Sequence, residues 1–506
     1  MNASVQLPGL PDGIDHDGVV AQMIRRARSA GFNAWWQRVE AVGFYANPIH
    51  LAGRDELGRD HQVFTRCNNR RAAVCPSCSD LYLRDTWQRI HAGLSGGHHD
   101  IPATVTDHPL VFVTLTAPSF GAVHTVSNAG GCHPRGARDR ECPHGRPMWC
   151  DRSHSHTDAE LGQPLCGDCY DYIGHVLFSW HAPELWRRFT IRVRRRLQCE
   201  LRDRSEQPEQ TRISFMKVVE LQRRALPHFH AVIRLDAASE PGQPPAAPDT
   251  IISAQDLVEL VHQAATETAL ALLGDKTLRF GDQIDIKVIT TPSGKHGNDR
   301  QMSGRQIAGY LAKYVTKSVA DFGIAVRRLS TAAIDQLDVA DHIREILRTI
   351  VTISAEAGYT EMISWIHTLG YRGHVVSKSR QFSTTLTALR ERRRAWRKSE
   401  THDALSAIAA SRIPQPSSWQ FQRLGHVSLG DRVLVVSAAR RAQEARIAAR
   451  QAANEGAVAD ESVPPRRRRG VSPSGNRLLG RLLRADVVRN VATQRRPDEQ
   501  STLEGR

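Results

Sequence analysis

The residues best suited to chemistry fall in two short words: Pro227-His228-Phe229-His230 inside an apolar run, and Tyr310-Leu-Ala-Lys313-Tyr314-Val-Thr-Lys317 about eighty residues later. On an extended strand side chains alternate between faces, so His228 and His230 would aim their imidazoles to one side and Phe229 into a core on the other. Two imidazoles side by side can share a metal ion. Glu220, near the end of the preceding apolar run, is placed to supply a third ligand across a turn. A carboxylate with two imidazoles suits a divalent ion such as Mg2+ or Mn2+, which with open positions would polarise a phosphate. In a helix, Tyr310 and Tyr314 share one face, as do Lys313 and Lys317, and each tyrosine has a lysine three residues on. A phenol with a pKa of about 10 is a weak nucleophile at neutral pH unless a lysine or metal stabilises the phenolate. Attack on a DNA phosphodiester would leave a 5′-phosphotyrosine and a free 3′-hydroxyl able to prime synthesis. Each word alone has a plainer reading: ordinary strand histidines, and an aromatic stripe packed on a sheet. Their occurrence together, hairpin then helix, favours the chemical one.

These residues need a scaffold, and the surrounding patterns supply it. Leu110-Val-Phe-Val-Thr-Leu-Thr116, closed by Ala117-Pro118, reads as a central strand. Apolar residues at 185, 189, 193 and 197 predict a helix from Glu184 to Leu201 with an arginine-rich outer face. Runs 212–221 and 229–235, split by a short polar turn, predict a hairpin. A helix over 254–273, a strand over 283–289 and a helix over 303–318 follow. The order β-α-β-β-α-β-α predicts an α+β fold, an antiparallel β-sheet backed by helices.

At 506 residues the chain has room for several domains. No apolar run approaches the roughly 20 residues of a membrane span, and the N-terminus lacks signal-peptide character, so a cytoplasmic protein with no membrane partner is expected. Net charge is +15, and arginines cluster at 187–204, 390–398 and 466–469, which points to a nucleic-acid partner. Nine cysteines in a reducing compartment argue for metal rather than disulfides. Cys75-Pro-Ser-Cys78 and Cys166-Gly-Asp-Cys169 are CxxC knuckles. Cys67, Cys132, Cys142 and Cys150 lie nearby, with His133 and His144 as possible further ligands, and structural Zn2+ is expected. Cys199 sits alone on a helical pattern and reads as core.

The sequence resembles the RepSA-type replication initiators of actinomycete plasmids and integrative elements, within the rolling-circle HUH endonuclease superfamily. Phe112-Val-Thr-Leu-Thr116, Thr116-Ala-Pro-Ser-Phe-Gly121 with His124, Cys142-Pro-His-Gly-Arg146, Cys166-Gly-Asp-Cys-Tyr-Asp-Tyr172, Trp180-His-Ala-Pro-Glu-Leu-Trp186 and Gly373-His-Val-Val-Ser-Lys-Ser-Arg380 carry the resemblance. It implies a ferredoxin-like HUH nuclease core with His228, His230 and Glu220 on Mg2+ or Mn2+ and Tyr310 or Tyr314 as nucleophile. It also implies origin DNA as partner, single-stranded or hairpin as well as duplex. Basic residues Arg372, Lys378, Arg380, Arg392, Arg393 and Arg394 are candidate DNA contacts. The tyrosine word follows a two-histidine word, the reverse of the usual order in conjugative relaxases, which are the main alternative. A non-catalytic zinc-dependent DNA-binding regulator and a water-using metallohydrolase are two others. No GxxxxGK[ST] loop is present, so helicase and polymerase would come from the host.

The expected organisation is a helical and Cys-rich zinc-binding region over 1–100 and an endonuclease domain over 101–320 with a Cys/His-rich insertion at 121–170. A helical basic accessory region over 321–460 and an Arg-rich, mostly disordered tail over 461–506 complete it. Residues 1–60 read as a mostly helical lead-in, the helix running from Val19 to about Val42, and 478–491 as a short helix within the tail.

Overall fold

The computed structural model describes residues 7, 10, 14–126, 131–134, 141–240, 242–272, 276–289, 303–315, 322–324, 329–405 and 416–459. In chain order they form α1 (His16–Arg28), α2 (Phe32–Val42), β1 (Ile49–Arg54), β2 (Asp60–Thr65), α3 (Pro76–Ser95), β3 (Leu110–Leu115) and α4 (Tyr172–Asp203). Next come β4 (Thr211–Leu221), β5 (Pro227–Ala237), α5 (Ala254–Glu267), β6 (Ala269–Ala271), β7 (Thr277–Arg279), β8 (Ile284–Val288) and α6 (Gly304–Tyr314). The series ends with α7 (Asp341–Ser354), β9 (Val376–Lys378), α8 (Leu386–Leu405), β10 (Gln420–Leu424) and α9 (Leu429–Ala459). Lys317, Arg466–Arg469 and the tail over 461–506, with its expected helix at 478–491, lie outside the described residues. Among the described residues no helix is long and apolar enough to cross a membrane.

The chain divides into two units, residues 1–82 with 409–506, and residues 83–408. In the first, Trp35, Trp36, Val39 and Phe64 pack with Leu434, Val435 and Ala438 of α9, beside an antiparallel sheet of order β10-β1-β2. The helical stretch expected from Val19 to about Val42 is present as α1 and α2, and the β1–β2 hairpin follows it. The hairpin turn is built by Asp55, whose carboxylate accepts the backbone N–H groups of Leu57 and Arg59, and by Gly58 at φ +76°. This is a local turn device that periodicity does not register.

The second unit holds a five-stranded sheet, order β8-β3-β5-β4-β9, with every pairing antiparallel. The fold is α+β, as the element order predicts. β5 is central and buried along almost its whole length; β3 is interior, flanked by β5 and β8. One face carries Val111, Val113, Leu115, Phe229, Ala231 and Ile233, packed on Phe178, Leu185, Phe189, Val193 and Leu197 of α4 and on Leu257, Val261 and Ala264 of α5. Phe229, 0 % exposed, enters this core as expected.

α4 starts at Tyr172, capped by the Asp171 carboxylate accepting the N–H of Gly174, and runs through Pro183. The sequence reading began the helix after that proline. An internal proline costs about 3 kcal/mol. Burial on both sides, Phe178 and Ala182 toward the sheet and Val176, Leu177 and Trp180 toward α7, outweighs it. Cys199 is exposed rather than core. It stands two residues from Leu197 and Leu201, and at 3.6 residues per turn that places it on the opposite side of α4. α5 ends at Glu267 instead of 273, because 269–271 turns into the β6–β7 hairpin. β9 pairs with β4 at Met216–Val218, an edge strand too short to show as a pattern.

Candidate active site

On the sheet face opposite α4 and α5, alternation presents Phe112 and Thr114 of β3, Glu220 of β4, and His228 and His230 of β5. The β4–β5 register sets Glu220 directly across from His228 and Val218 across from His230, while Thr114 pairs with His230 from the other side. The two imidazole rings are 4.6 Å apart. The Glu220 carboxylate reaches diagonally, Oε2 lying 3.5 Å from His230 Nε2. His230 is 2 % exposed, and its Nε2 makes no hydrogen bond. Its Nδ1 is 3.3 Å from the Thr114 hydroxyl, and His228 Nδ1 is 3.1 Å from the Gln222 amide. Burial first, and then His230, push the His228 imidazole down to about 4, against the pull of Glu220, so it is neutral at pH 7.

α6 brings the phenols to this face. Ser303 and Gln306 form a capping box at its start. Ile307, Ala308, Leu311 and Ala312 are buried, leaving Tyr310 and Tyr314 half-buried beside the histidines. Tyr310 meets His230 edge-on at 5.3 Å and Phe112 at 6.0 Å. Tyr314 stacks on His230 at 5.2 Å, and the two phenols are 4.9 Å apart. Burial first, then Tyr310 and the charge of Glu220, push the Tyr314 phenol well above its usual range. Lys313, between the two tyrosines, is exposed.

Thus His228, His230, Glu220, Tyr310 and Tyr314 converge. Three neighbours escape a reading by motif: Thr114 and Gln222, which hold the imidazoles, and Arg224, which donates to Gln222 Oε1 at 3.0 Å. Thr114 lies within the Phe112–Thr116 segment that carries the family resemblance, but its partner depends on the β3–β5 register.

The six candidate DNA contacts divide. Arg372, Arg380 and Arg394 are exposed, Arg372 with its guanidinium 4.3 Å from the Trp180 ring. Arg392 pairs with Asp100 and His99, Arg393 with Asp85, and Lys378 Nζ donates to the carbonyls of Ser379 and Arg380.

A family model described as the replication initiator protein of pSAM2 matches residues 31–440. The chain belongs to the RepSA family. A replication initiator protein of Streptomyces ambofaciens is 35% identical over 473 residues, covering 88% of this chain and 98% of that protein. No solved structure matches. The RepSA match runs through β3, the β4–β5 hairpin and α6, so every element of the converging site lies inside the family region.

The cysteines also gather. Cys67, Cys75 and Cys78 form one cluster in the first unit. In the second unit, His124, Cys132, Cys150 and His154 form another, and Cys142, His144, Cys166 and Cys169 a third. His144 is among the expected extra ligands, and His124 and His154 are additions. His133 Nδ1 touches Cys132 Sγ at 3.4 Å.

Proposed function

We propose that this chain is a replication initiator that nicks one strand of origin DNA by tyrosine transesterification in an HUH-type core, priming rolling-circle replication of a plasmid or integrative element. The observation that carries the reading is the packing of both phenols of α6 against His230, whose buried Nε2 is unbonded and lies 3.5 Å from a carboxylate. An orphaned imidazole nitrogen facing a carboxylate is costly unless a cation joins them, and the N,N,O donor set of His228, His230 and Glu220 fits Mg2+ or Mn2+. When bound, such an ion supplies Lewis-acid polarisation of the scissile phosphate.

The chain's own residues do the rest. Tyr310 or Tyr314 attacks phosphorus through its phenolic oxygen, losing its proton; the P–O3′ bond breaks, leaving a 5′-phosphotyrosine and a free 3′-hydroxyl. Thr114 and Gln222 hold the two imidazoles by Nδ1. Lys313, exposed between the two tyrosines, offers positive charge to the backbone phosphates, and Lys317, next in the same sequence word, is assigned the same role. Of the basic set, Arg372, Arg380 and Arg394 are exposed and so open to the phosphates of the strand. Helicase and polymerase come from the host. A second phenol four residues from the first would let one tyrosine nick and the other terminate.

The test is incubation of full-length protein with single-stranded origin DNA and Mn2+, followed by denaturing electrophoresis. A covalent adduct is expected, lost in the Tyr310→Phe/Tyr314→Phe double variant; survival there sinks the assignment. Cleavage without an adduct would mark a water-using metallohydrolase, and DNA binding without cleavage a regulator. The single variants report whether one phenol or both act.

A further inference from the structure

Residues 121–170 carry no helix or strand among the described residues, yet they bring eight metal-binding side chains together in two groups. In chain order the ligands come as four pairs: His124 and Cys132, Cys142 and His144, Cys150 and His154, Cys166 and Cys169. The first and third pairs form one cluster, the second and fourth the other. This interleaving makes a cross-brace. We propose that the segment is a cross-braced module holding two Zn2+ ions, one per cluster, and that it sets the turn between β4 and β5.

Tetrahedral Zn2+ with Zn–S near 2.3 Å and Zn–N near 2.0 Å places ligand atoms roughly 3.3–3.8 Å apart. Cys132 Sγ lies 3.6 Å from His124 Nδ1, and Cys150 Sγ 3.4 Å from His154 Nε2. In the other cluster His144 Nδ1 lies 3.3 Å from Cys169 Sγ and 3.8 Å from Cys166 Sγ. His124 and His154 approach to 3.0 Å, slightly inside that range. The far nitrogen of His154 is held by Asp158 at 2.9 Å, the outer carboxylate that turns a ligating imidazole toward its metal.

In the first cluster the backbone supports the same pairing independently of the side chains. His133 and Cys150 exchange both hydrogen bonds, at 2.9 and 2.7 Å, and the N–H of Cys132 donates to the carbonyl of Arg152. Gly131 sits so close to Asp151 that a Cβ would meet its Cα at 2.3 Å. In the second cluster, the N–H of Cys142 donates to the carbonyl of Arg146 and that of Gly145 to Cys142, a tight knuckle with Gly145 at φ +69°.

The module rests on the turn that joins the proposed metal ligands. Arg223 donates to the carbonyl of His156. Gly162, at φ +86°, passes so near that a Cβ would lie 2.5 Å from the Arg223 carbonyl carbon and 2.7 Å from the Arg224 nitrogen. The turn itself holds Ala225 at φ +64°, a conformation that a side chain adopts only under constraint. Gln222, which holds His228, lies in the same turn. Zinc in the insertion thus sets the segment between Glu220 and His228.

The pairing is read by exchanging zinc for Co2+, whose absorption spectrum reports the number of thiolates at a tetrahedral site. Cys142→His and Cys150→His in the full-length protein each keep a ligand and remove one thiolate, and the Cys67, Cys75 and Cys78 cluster contributes equally to all three proteins. The cross-brace predicts two two-thiolate sites in Cys142→His, and one three-thiolate with one one-thiolate site in Cys150→His. The reverse pattern would establish sequential pairing and overturn the cross-brace, as would no Co2+ bound by the insertion. For the second half, hydrogen exchange is measured before and after chelation of zinc. Exchange over residues 222–228 should accelerate at least tenfold with α5 unchanged. No acceleration there, or an equal one in α5, overturns the role in setting the turn.

Discussion

Glu220 stands directly across the hairpin from His228 yet directs its carboxylate to His230, Oε2 lying 3.5 Å from Nε2. The diagonal ties the end of β4 to the middle of the site, and it makes Glu220 the only carboxylate in the proposed ligand set.

Glu220→Gln keeps the side chain's size and removes its charge. Mn2+ affinity should fall at least tenfold, about 1.4 kcal/mol, with the circular-dichroism spectrum unchanged. Mn2+ titration followed by electron paramagnetic resonance measures it, and an unaltered affinity would remove Glu220 from the site.

Thr114→Val replaces a hydroxyl by a methyl at the strand position that holds His230 Nδ1 at 3.3 Å. Losing one such hydrogen bond costs about 1 kcal/mol of stability. Outer-shell partners of metal-bound histidines are worth roughly 10–100-fold in metal affinity. The expected result is a small fall in urea midpoint with a clear loss of Mn2+ binding. If the midpoint moves and the affinity does not, Thr114 is structural only.

Further along the same sheet face, Asp236 accepts from His108 Nδ1 at 2.8 Å and from Arg234 Nε at 2.6 Å, with all three side chains fully buried. Burial alone would raise the Asp236 carboxyl, but His108 and Arg234 hold it below its usual value. Because the folded pKa lies below the unfolded one, its contribution is complete above about pH 4 and is lost as pH falls through the folded value. Asp236→Asn should cost about 3–5 kcal/mol, since it leaves Arg234 buried without its counter-charge. The variant should also lose part of the wild-type decline in stability below pH 4. Chemical denaturation across pH 2–7 checks both.

Lys217 is the opposite case. It lies in the core 5.5 Å from the Trp186 ring and 5.4 Å from that of Phe229, and burial lowers its ammonium to about 8. Between pH 8 and 10 the unfolded chain keeps this proton and the folded chain releases it, so stability rises with pH over that window. The penalty below pH 8 is on the order of 3 kcal/mol. Lys217→Met should be more stable at pH 7 and lack the rise, and urea midpoints at pH 7, 8, 9 and 10 measure it.

Strand and helix existence was legible wherever apolar residues recur with a clean period. The β4–β5 hairpin and α6 fall close to their predicted bounds, and the alternation of His228, Phe229 and His230 assigned each side chain its face. Boundaries failed where tertiary burial overrode a local signal, as at Pro183, and where an element was too short to repeat, as in β6, β7 and β9. Cys199 was misread although the stripe at 185, 189, 193 and 197, continued at 3.6 residues per turn, already puts position 199 on the outer face.

The sequence by itself determined the chemical inventory: two histidines of one strand face, two phenols of one helix face, and cysteines spaced for metal. Those follow from covalent order and local periodicity. Only the tertiary structure decided that Tyr310 and Tyr314 pack on His230, that Thr114 holds it, and that the four Cys/His pairs of the insertion interleave. These contacts join positions up to 116 residues apart in sequence, and a chain's local preferences do not encode which distant surfaces meet. Strand register and core packing do.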